Sequence, residues 1–240
     1  MVINADEDKH QGAFTAEEVL SNTMDRKHPR RFAFGKDILR WHLRNVRYLE
    51  WGTTRALKQF RRPTFPQLHD TKEKLVAVRT PGSVPKLIYD DDHLHFDASS
   101  VGFVPWHHLK GVRNKSIKKT AKYRNEVKSG QKQPAIYREV FEKLSKQFDL
   151  KFLLGIMNSE YAKNWLSKRR RSKFHIYPDD WKLLPIPAAR MTEQAPIAAL
   201  VNKILALYAK HGHPLPDEQA KRLAALEQEI EEHVAKLYGQ

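Results

Sequence analysis

The sequence predicts an α+β fold: a twisted, mainly antiparallel sheet with packed helices, plus a C-terminal helical hairpin. Three observations lead there. Between Lys74 and Val104 short apolar runs alternate with turn residues. Beyond Pro134 the apolar period lengthens to three and four. After Met191 two amphipathic stretches flank a Gly/Pro breaker. The chain of 240 residues is 40% apolar and 10% aromatic, which suits a packed core and excludes disorder throughout.

Taken in order, residues 1–29 read as a lead-in, with one short helical signal at Thr15-Ala-Glu-Glu-Val-Leu20, a capping-box start. Leu75-Val-Ala-Val-Arg79 and Lys86-Leu-Ile-Tyr89 read as strands around a Pro-Gly-Ser-Val-Pro turn. Asp90-Asp-Asp92 is the next turn, and Leu94-His-Phe-Asp97 and Val101-Gly-Phe-Val104 are further strands. Residues 114–134 are basic and poor in apolar groups, so they are expected as an exposed loop or irregular helix. Tyr137, Val140, Phe141 and Leu144 make one helical stripe. Leu150, Leu153, Leu154 and Met157 make a second, continuing through Tyr161, Trp165 and Leu166. Phe174-His-Ile-Tyr177 is again strand-like. The recognition unit is placed at residues 30–191. The hairpin at 192–240 carries Ile197, Leu200, Val201 and Ile204 on one helix and Leu223, Leu226, Ile230 and Val234 on the other. Such a stripe needs a second surface: its own domain, another copy, or a separate core.

Several function classes are excluded at once. The chain has no cysteine, which removes disulfides, thiolate metal sites and a cysteine nucleophile. No apolar run approaches the roughly 18 residues that a membrane span requires, and the acidic first segment is unlike an export signal. A soluble, cytoplasmic protein is expected.

The charge points to a polyanion. The formal net charge is +15, from 43 Lys and Arg against 28 Asp and Glu. Both ends are acidic, so residues 26–191 carry 37 bases and 15 acids. Three clusters stand out: Arg26–Arg62, Lys110–Lys146, and the densest, Lys168-Arg-Arg-Arg-Ser-Lys173. Lys and Arg that neutralise phosphates release counterions, which favours nucleic-acid binding. A solvated surface kept for solubility is the plainer alternative.

Catalytic patterns are weak by comparison. Twelve histidines make chance pairs such as His93-Leu-His95, His107-His108 and His211-Gly-His213, none with carboxylates at metal-ligand spacing. Asp90-Asp-Asp92 reads as turn chemistry. Glu126-Val-Lys128 and Asp180-Trp-Lys182 match half of a metal-dependent nuclease pattern. No phosphate loop, Gly-x-Ser-x-Gly or methyl-donor motif is present. A small metal-dependent nuclease and an RNA-binding module remain as alternatives.

Several segments, in order, look like one family. They are Phe34-Gly-Lys-Asp-Ile-Leu-Arg40, Arg47-Tyr-Leu49, Arg62-Pro-Thr-Phe-Pro66, Lys74-Leu-Val-Ala-Val-Arg-Thr80, Leu87-Ile-Tyr-Asp-Asp91 and Phe96-Asp97. The most specific is Asp149-Leu-Lys-Phe-Leu-Leu-Gly-Ile-Met-Asn-Ser159, leading to Ile176-Tyr-Pro-Asp-Asp180 and Leu184-Pro-Ile-Pro187. Leu226-Glu-Gln-Glu-Ile230 and Leu237-Tyr-Gly239 close the set. Together they resemble the TaqI-like C-terminal specificity domain, which follows the adenine-N6 methyltransferase core in type IIG restriction enzymes and related phage-defence methylases.

The resemblance implies a target recognition domain that docks on duplex DNA in a bacterial or archaeal cytoplasm, at the nucleoid. It places S-adenosylmethionine and the catalytic residues on a methyltransferase core that is not in this chain, whether joined in a longer chain or a separate subunit. No catalytic residue or metal is therefore assigned here. The expected DNA contacts are Lys36, Arg40, Lys110, Arg113, Asn114, Lys115, Lys118, Lys119, Lys122 and Arg124, with Lys168, Arg169, Arg170, Arg171, Ser172 and Lys173. Phosphate contacts set register and base edges carry sequence, so the loops Pro105–Arg124 and Ser167–Phe174 are the expected readers. Asn158-Ser159 is expected to pack or cap a helix. Trp106, Trp165 and Trp181 are expected core anchors, with Trp106 also placed to stack on the DNA backbone.

Overall fold

The computed structural model describes residues 2–4, 13–15, 19–54, 56, 66–114, 117, 120–126 and 136–239. The fold is α+β, as the sequence predicts. Strands β1 (Val2–Asn4) and β2 (Ala13–Thr15) form an antiparallel pair. Thr15, expected to open a helix, instead ends a strand. A second sheet joins β3 (Leu20–Ser21), β4 (Arg30–Ala33), β5 (Arg47–Leu49) and β8 (His95–Phe96) in the order β3-β5-β4-β8. The third has the order β7-β6-β9, from β6 (Lys74–Val78), β7 (Leu87–Asp90) and β9 (Ser100–Phe103). All neighbours are antiparallel except β4 and β8, which run parallel.

The strands β6, β7, β8 and β9 lie where the alternation predicts them, but in two sheets rather than one continuous sheet. Strand β6 is buried at all five residues, while β9 is half-buried along its length. A cluster of Val76, Val78 and Ile88 with Ala33, Ile38, Leu94 and Phe96 packs the two sheets together. The expected boundary at residue 30 falls within the second sheet, because Leu20 pairs with Leu49 and Val19 is buried with Phe32.

Seven α-helices are present among the described residues: α1 (Pro66–Asp70), α2 (Arg138–Ser145), α3 (Leu150–Met157), α4 (Glu160–Arg169), α5 (Pro178–Trp181), α6 (Met191–His211) and α7 (Asp217–Leu237). Helix α3 is the centre of the molecule. Asp149 caps it by accepting from Lys151 N at 2.6 Å, as a short polar side chain at this position does. Phe152, Leu154, Ile156 and Met157 are buried in the main core with Leu75, Leu87, Trp181 and Ile197.

The continuous helix expected through Trp165 is broken at Asn158. Its fully buried amide donates to Leu87 O and accepts from Leu87 N, both at 3.1 Å. Those groups lie on the free edge of β7, so one side chain takes the place of a neighbouring strand. Ser159 then caps α4 by accepting from Ala162 N at 3.2 Å. The expected packing and cap roles for this pair hold.

Helix α2 departs from its predicted stripe. Val140 and Leu144 are exposed, and Arg138 and Glu142 are buried, because the helix turns this charged pair toward loop carbonyls. Residues 174–177 form no strand; Ile176 N makes a single backbone bond to Arg79 O at 2.8 Å.

The C-terminal hairpin, α6 and α7, packs on its own domain. A Cβ on Gly155 would lie 2.4 Å from Ile197 Cγ2, so glycine is what lets α3 and α6 approach. Gln194, fully buried, accepts from Asp149 N at 2.9 Å and donates to Gln147 O and Ala189 O at 2.7 Å. One core cluster holds Trp41 and Leu75 together with Leu226, Ile230 and Val234, which joins the hairpin to the preceding unit.

Two outcomes are expected. Deleting residues 191–240 strips the cover from α3, and the remainder should lose its cooperative unfolding transition, as read by near-UV circular dichroism in urea. His69 and His95 are buried in a stack with centroids 5.0 Å apart. Burial pushes them from the ordinary 6.5 down to about 3 and about 4. The unfolded chain therefore takes up protons that the fold refuses as pH falls from 6.5 toward 4. Stability should drop there by about 1.4 kcal/mol per pH unit and histidine, and a urea midpoint independent of pH in this window would contradict that burial.

Candidate nucleic-acid interface

The densest basic run leaves the end of α4. Ser159 and Glu160 start that helix and Lys168 and Arg169 end it, a charge order that suits the helix dipole. Arg170 turns the chain into extended backbone. Arg171 is then anchored: its Nε lies 3.2 Å from Asp180 Oδ1 and its Nη2 3.4 Å from Asp179 Oδ2. The Asp180 side chain is 1% exposed, accepts from Tyr177 N at 2.7 Å, and so closes the first turn of α5. Ser172 Oγ accepts from Phe174 N at 3.2 Å and His175 N at 3.1 Å, a local turn that serines favour. Thr80 Oγ1 and His175 Nδ1 are 2.7 Å apart. The loop is thus tied at 171, 172, 175 and 176.

Its remaining cations face outward. Lys168, Arg169 and Lys173 are exposed and Arg170 is half-buried. The Arg169 guanidinium lies 3.6 Å from the centroid of the Trp165 ring, a cation–π arrangement that orients it without neutralising it. Arg79 and Arg171 both lie over Tyr177, at 4.8 and 5.6 Å. Asp179 is held below its ordinary range by hydrogen bonding and charge from Lys182, with Arg171 adding to the effect.

The second expected loop is held from within by Arg138. This buried residue donates to Glu142 Oε1 at 3.0 Å, to Val112 O at 2.6 Å and to Leu109 O. Its fork geometry allows three partners at once. Tyr123 Oη donates to Glu142 Oε1 at 2.5 Å and accepts from Gly111 N at 2.8 Å. Around this clamp Lys110, Arg113 and Arg124 are exposed, and Asn114 and Lys122 half-buried. Arg124 stacks on Tyr137 at 4.5 Å. Lys115, Lys118 and Lys119 lie outside the described residues.

The two candidates nearest the N-terminus part company. Lys36 is exposed, its Nζ 5.3 Å over Phe34. Arg40 instead bonds to helix α7, with Glu227 at 3.0 Å and Glu231 at 3.4 Å, so its charge serves the hairpin. Of the tryptophans, Trp181 is buried, Trp106 stacks on Phe141 at 5.2 Å, and Trp165 carries Arg169.

Of the two nuclease-like triplets, Lys128 of Glu126-Val-Lys128 lies outside the described residues, and Asp180-Trp-Lys182 is held in local contacts. Asp180 is occupied by Arg171 and Tyr177, and Lys182 pairs with Asp179 at 2.8 Å. Lys74 Nζ lies 2.6 Å from Asp90 Oδ2, both buried, so Asp90 serves as a counter-ion rather than only as turn chemistry. This buried pair was legible only as a lysine and an aspartate at opposite ends of one hairpin. No group of three His, Asp or Glu among the described residues is arranged to hold a metal ion. No helix among the described residues is long and apolar enough to cross a membrane.

No protein-family description and no curated protein matches this chain. Its fold does match a solved structure. The Type IIL restriction-modification enzyme MmeI, in complex with DNA, superposes with a TM-score of 0.52 at 10% identity. The match covers 93% of this chain and 28% of that one, so this chain spans less than a third of the enzyme. At that identity the likeness is one of fold, extending over nearly all the elements described above.

Asp180, which the sequence offers as half of a nuclease pattern, is the hidden support of the basic loop, a role that an acid beside a turn does not announce. Asp180→Ala leaves Tyr177 N–H without its acceptor and Arg171 with Asp179 alone, and should cost about 1–3 kcal/mol. Amide exchange at residues 171–177 should accelerate with it; unchanged exchange would assign the loop's order elsewhere.

Proposed function

We propose that this chain is the sequence-specific duplex-DNA recognition domain of a restriction-modification or phage-defence adenine-N6 methyltransferase. In this reading it is of the TaqI-like kind, and the catalytic core with its S-adenosylmethionine lies outside the chain. The chain itself then performs no chemistry; it positions a duplex for another domain or subunit.

The observation that carries the proposal is the anchored loop from Lys168 to Phe174. Its backbone is held by Asp180 and Ser172, and Ile176 just beyond it by Arg79, while Lys168, Arg169 and Lys173 face solvent. A cationic loop that is already ordered loses little entropy on meeting phosphates. The fold supports duplex DNA as the anion, since it resembles a portion of an enzyme whose structure contains DNA. The loop 105–124, braced by Arg138, is a second source of contacts. Stacking on an exposed sheet, which the RNA alternative requires, finds little support where β6 is wholly buried.

The test has two stages. Selection from random duplexes, with and without a candidate methyltransferase core, should enrich one short sequence; enrichment of single-stranded RNA over duplex in competition would favour the RNA alternative. On the enriched duplex, replacing Lys168, Arg170 and Lys173 by Ala should weaken binding and flatten its salt dependence, by up to roughly one unit of slope for each phosphate left without its cation. The urea midpoint should hold. An identical slope would remove this loop from the interface.

A further inference from the structure

Phe174 stands apart from the side chains around it. Of the large hydrophobic residues described it is the most exposed, at 72%, and it sits between Lys173 and His175 in the densest basic loop. The neighbouring aromatic rings are occupied: Trp165 by Arg169, Tyr177 by Arg79 and Arg171. No ring or cation partner is found for Phe174 among the described residues. Nor is its exposure the result of fraying. Its own N–H and that of His175 are bonded to Ser172 Oγ, Arg171 is tied to Asp180, and Ile176 to Arg79. A hydrogen-bonded backbone holds an apolar ring out into water, next in the chain to Lys173.

That combination suits one kind of contact. A lone ring has too little area to seat a protein partner, and the basic run that precedes it opposes insertion into an apolar groove. A base step offers an apolar slot with phosphates on both sides. We propose that Phe174 is a wedge that enters the base stack of the bound duplex, with Lys173, Arg170 and Lys168 taking the flanking phosphates. This deepens the DNA-recognition reading and rests on it. Apolar side chains that part a base step kink the duplex and add to selectivity, because steps differ in the cost of unstacking. Pyrimidine–purine steps open most easily, so the wedge should favour a TA or CA/TG step within the recognised sequence.

The probe is the duplex enriched by the selection above, carrying 2-aminopurine at successive positions. The native protein should raise its fluorescence several-fold at a single step. Phe174→Ala should abolish that rise and weaken binding about tenfold, the scale of a single base–aromatic stack. Its salt slope and urea midpoint should be those of the native chain, because the ring neither neutralises phosphate nor packs in the fold. Phe174→Leu should restore part of both effects. A native complex that binds this duplex with no fluorescence change at any position overturns the wedge and leaves the recognition reading intact. So does a Phe174→Ala protein equal to the native one in both signals. A native chain that enriches no duplex, or prefers single-stranded RNA, overturns the recognition reading itself and the wedge with it.

Discussion

Asn158 lies where two kinds of backbone meet. Helix α3 ends at Met157, and the next residue turns its amide onto the N–H and C=O of Leu87 in strand β7. An unpaired strand edge beside a core is costly unless its polar groups find partners. Here a side chain supplies both, and the Trp41 N–H shares the same carbonyl at 3.0 Å. The bond fixes the central apolar helix against the sheet, ends that helix, and places Ser159 to begin the next one. Helix α4 then leads straight to the basic loop. The position of the candidate interface therefore follows from one buried amide well away from it.

The charge of the chain divides between structure and surface. Lys74 is neutralised by Asp90 within a hairpin, Arg138 by Glu142 under a loop, and Arg40 by two glutamates of α7. A buried ion pair adds little net stability against an apolar alternative, but removing one partner is severe. Such pairs act as pins that hold neighbouring segments in a defined arrangement. Of the cations left over, Lys168 and Arg169 end helix α4 and Lys173 follows on a loop, where binding residues on a scaffold commonly lie.

The likeness to part of MmeI, at 10% identity over 93% of this chain, is what a scaffold of this sort would give. Core positions tolerate many apolar exchanges if volume and pattern are kept, so a fold persists while little sequence remains shared. Loop residues are free to differ, and the function argued here rests on them rather than on the fold alone.

Much of this was legible in the sequence. Short apolar runs between turn residues marked β6 and β7, and the three-and-four spacing marked α6 and α7, because that period reports helical backbone geometry. The basic loop after Leu166 was visible as composition. Strands β4 and β5 were not, since Arg30-Arg-Phe-Ala33 and Arg47-Tyr-Leu49 are short and carry few apolar residues. The stripe on α2 misled, because Arg138 and Glu142 satisfy each other and the loop carbonyls, and so outcompete Val140 and Leu144 for the buried side. Local chemistry, then, was determined by the sequence: which segments are helical or extended, and where positive charge gathers. Which cations remain at the surface was decided only in three dimensions. A lysine or arginine is free or spent according to the carboxylates and carbonyls that distant segments bring within about 3 Å of it, and a one-dimensional pattern holds no such distances.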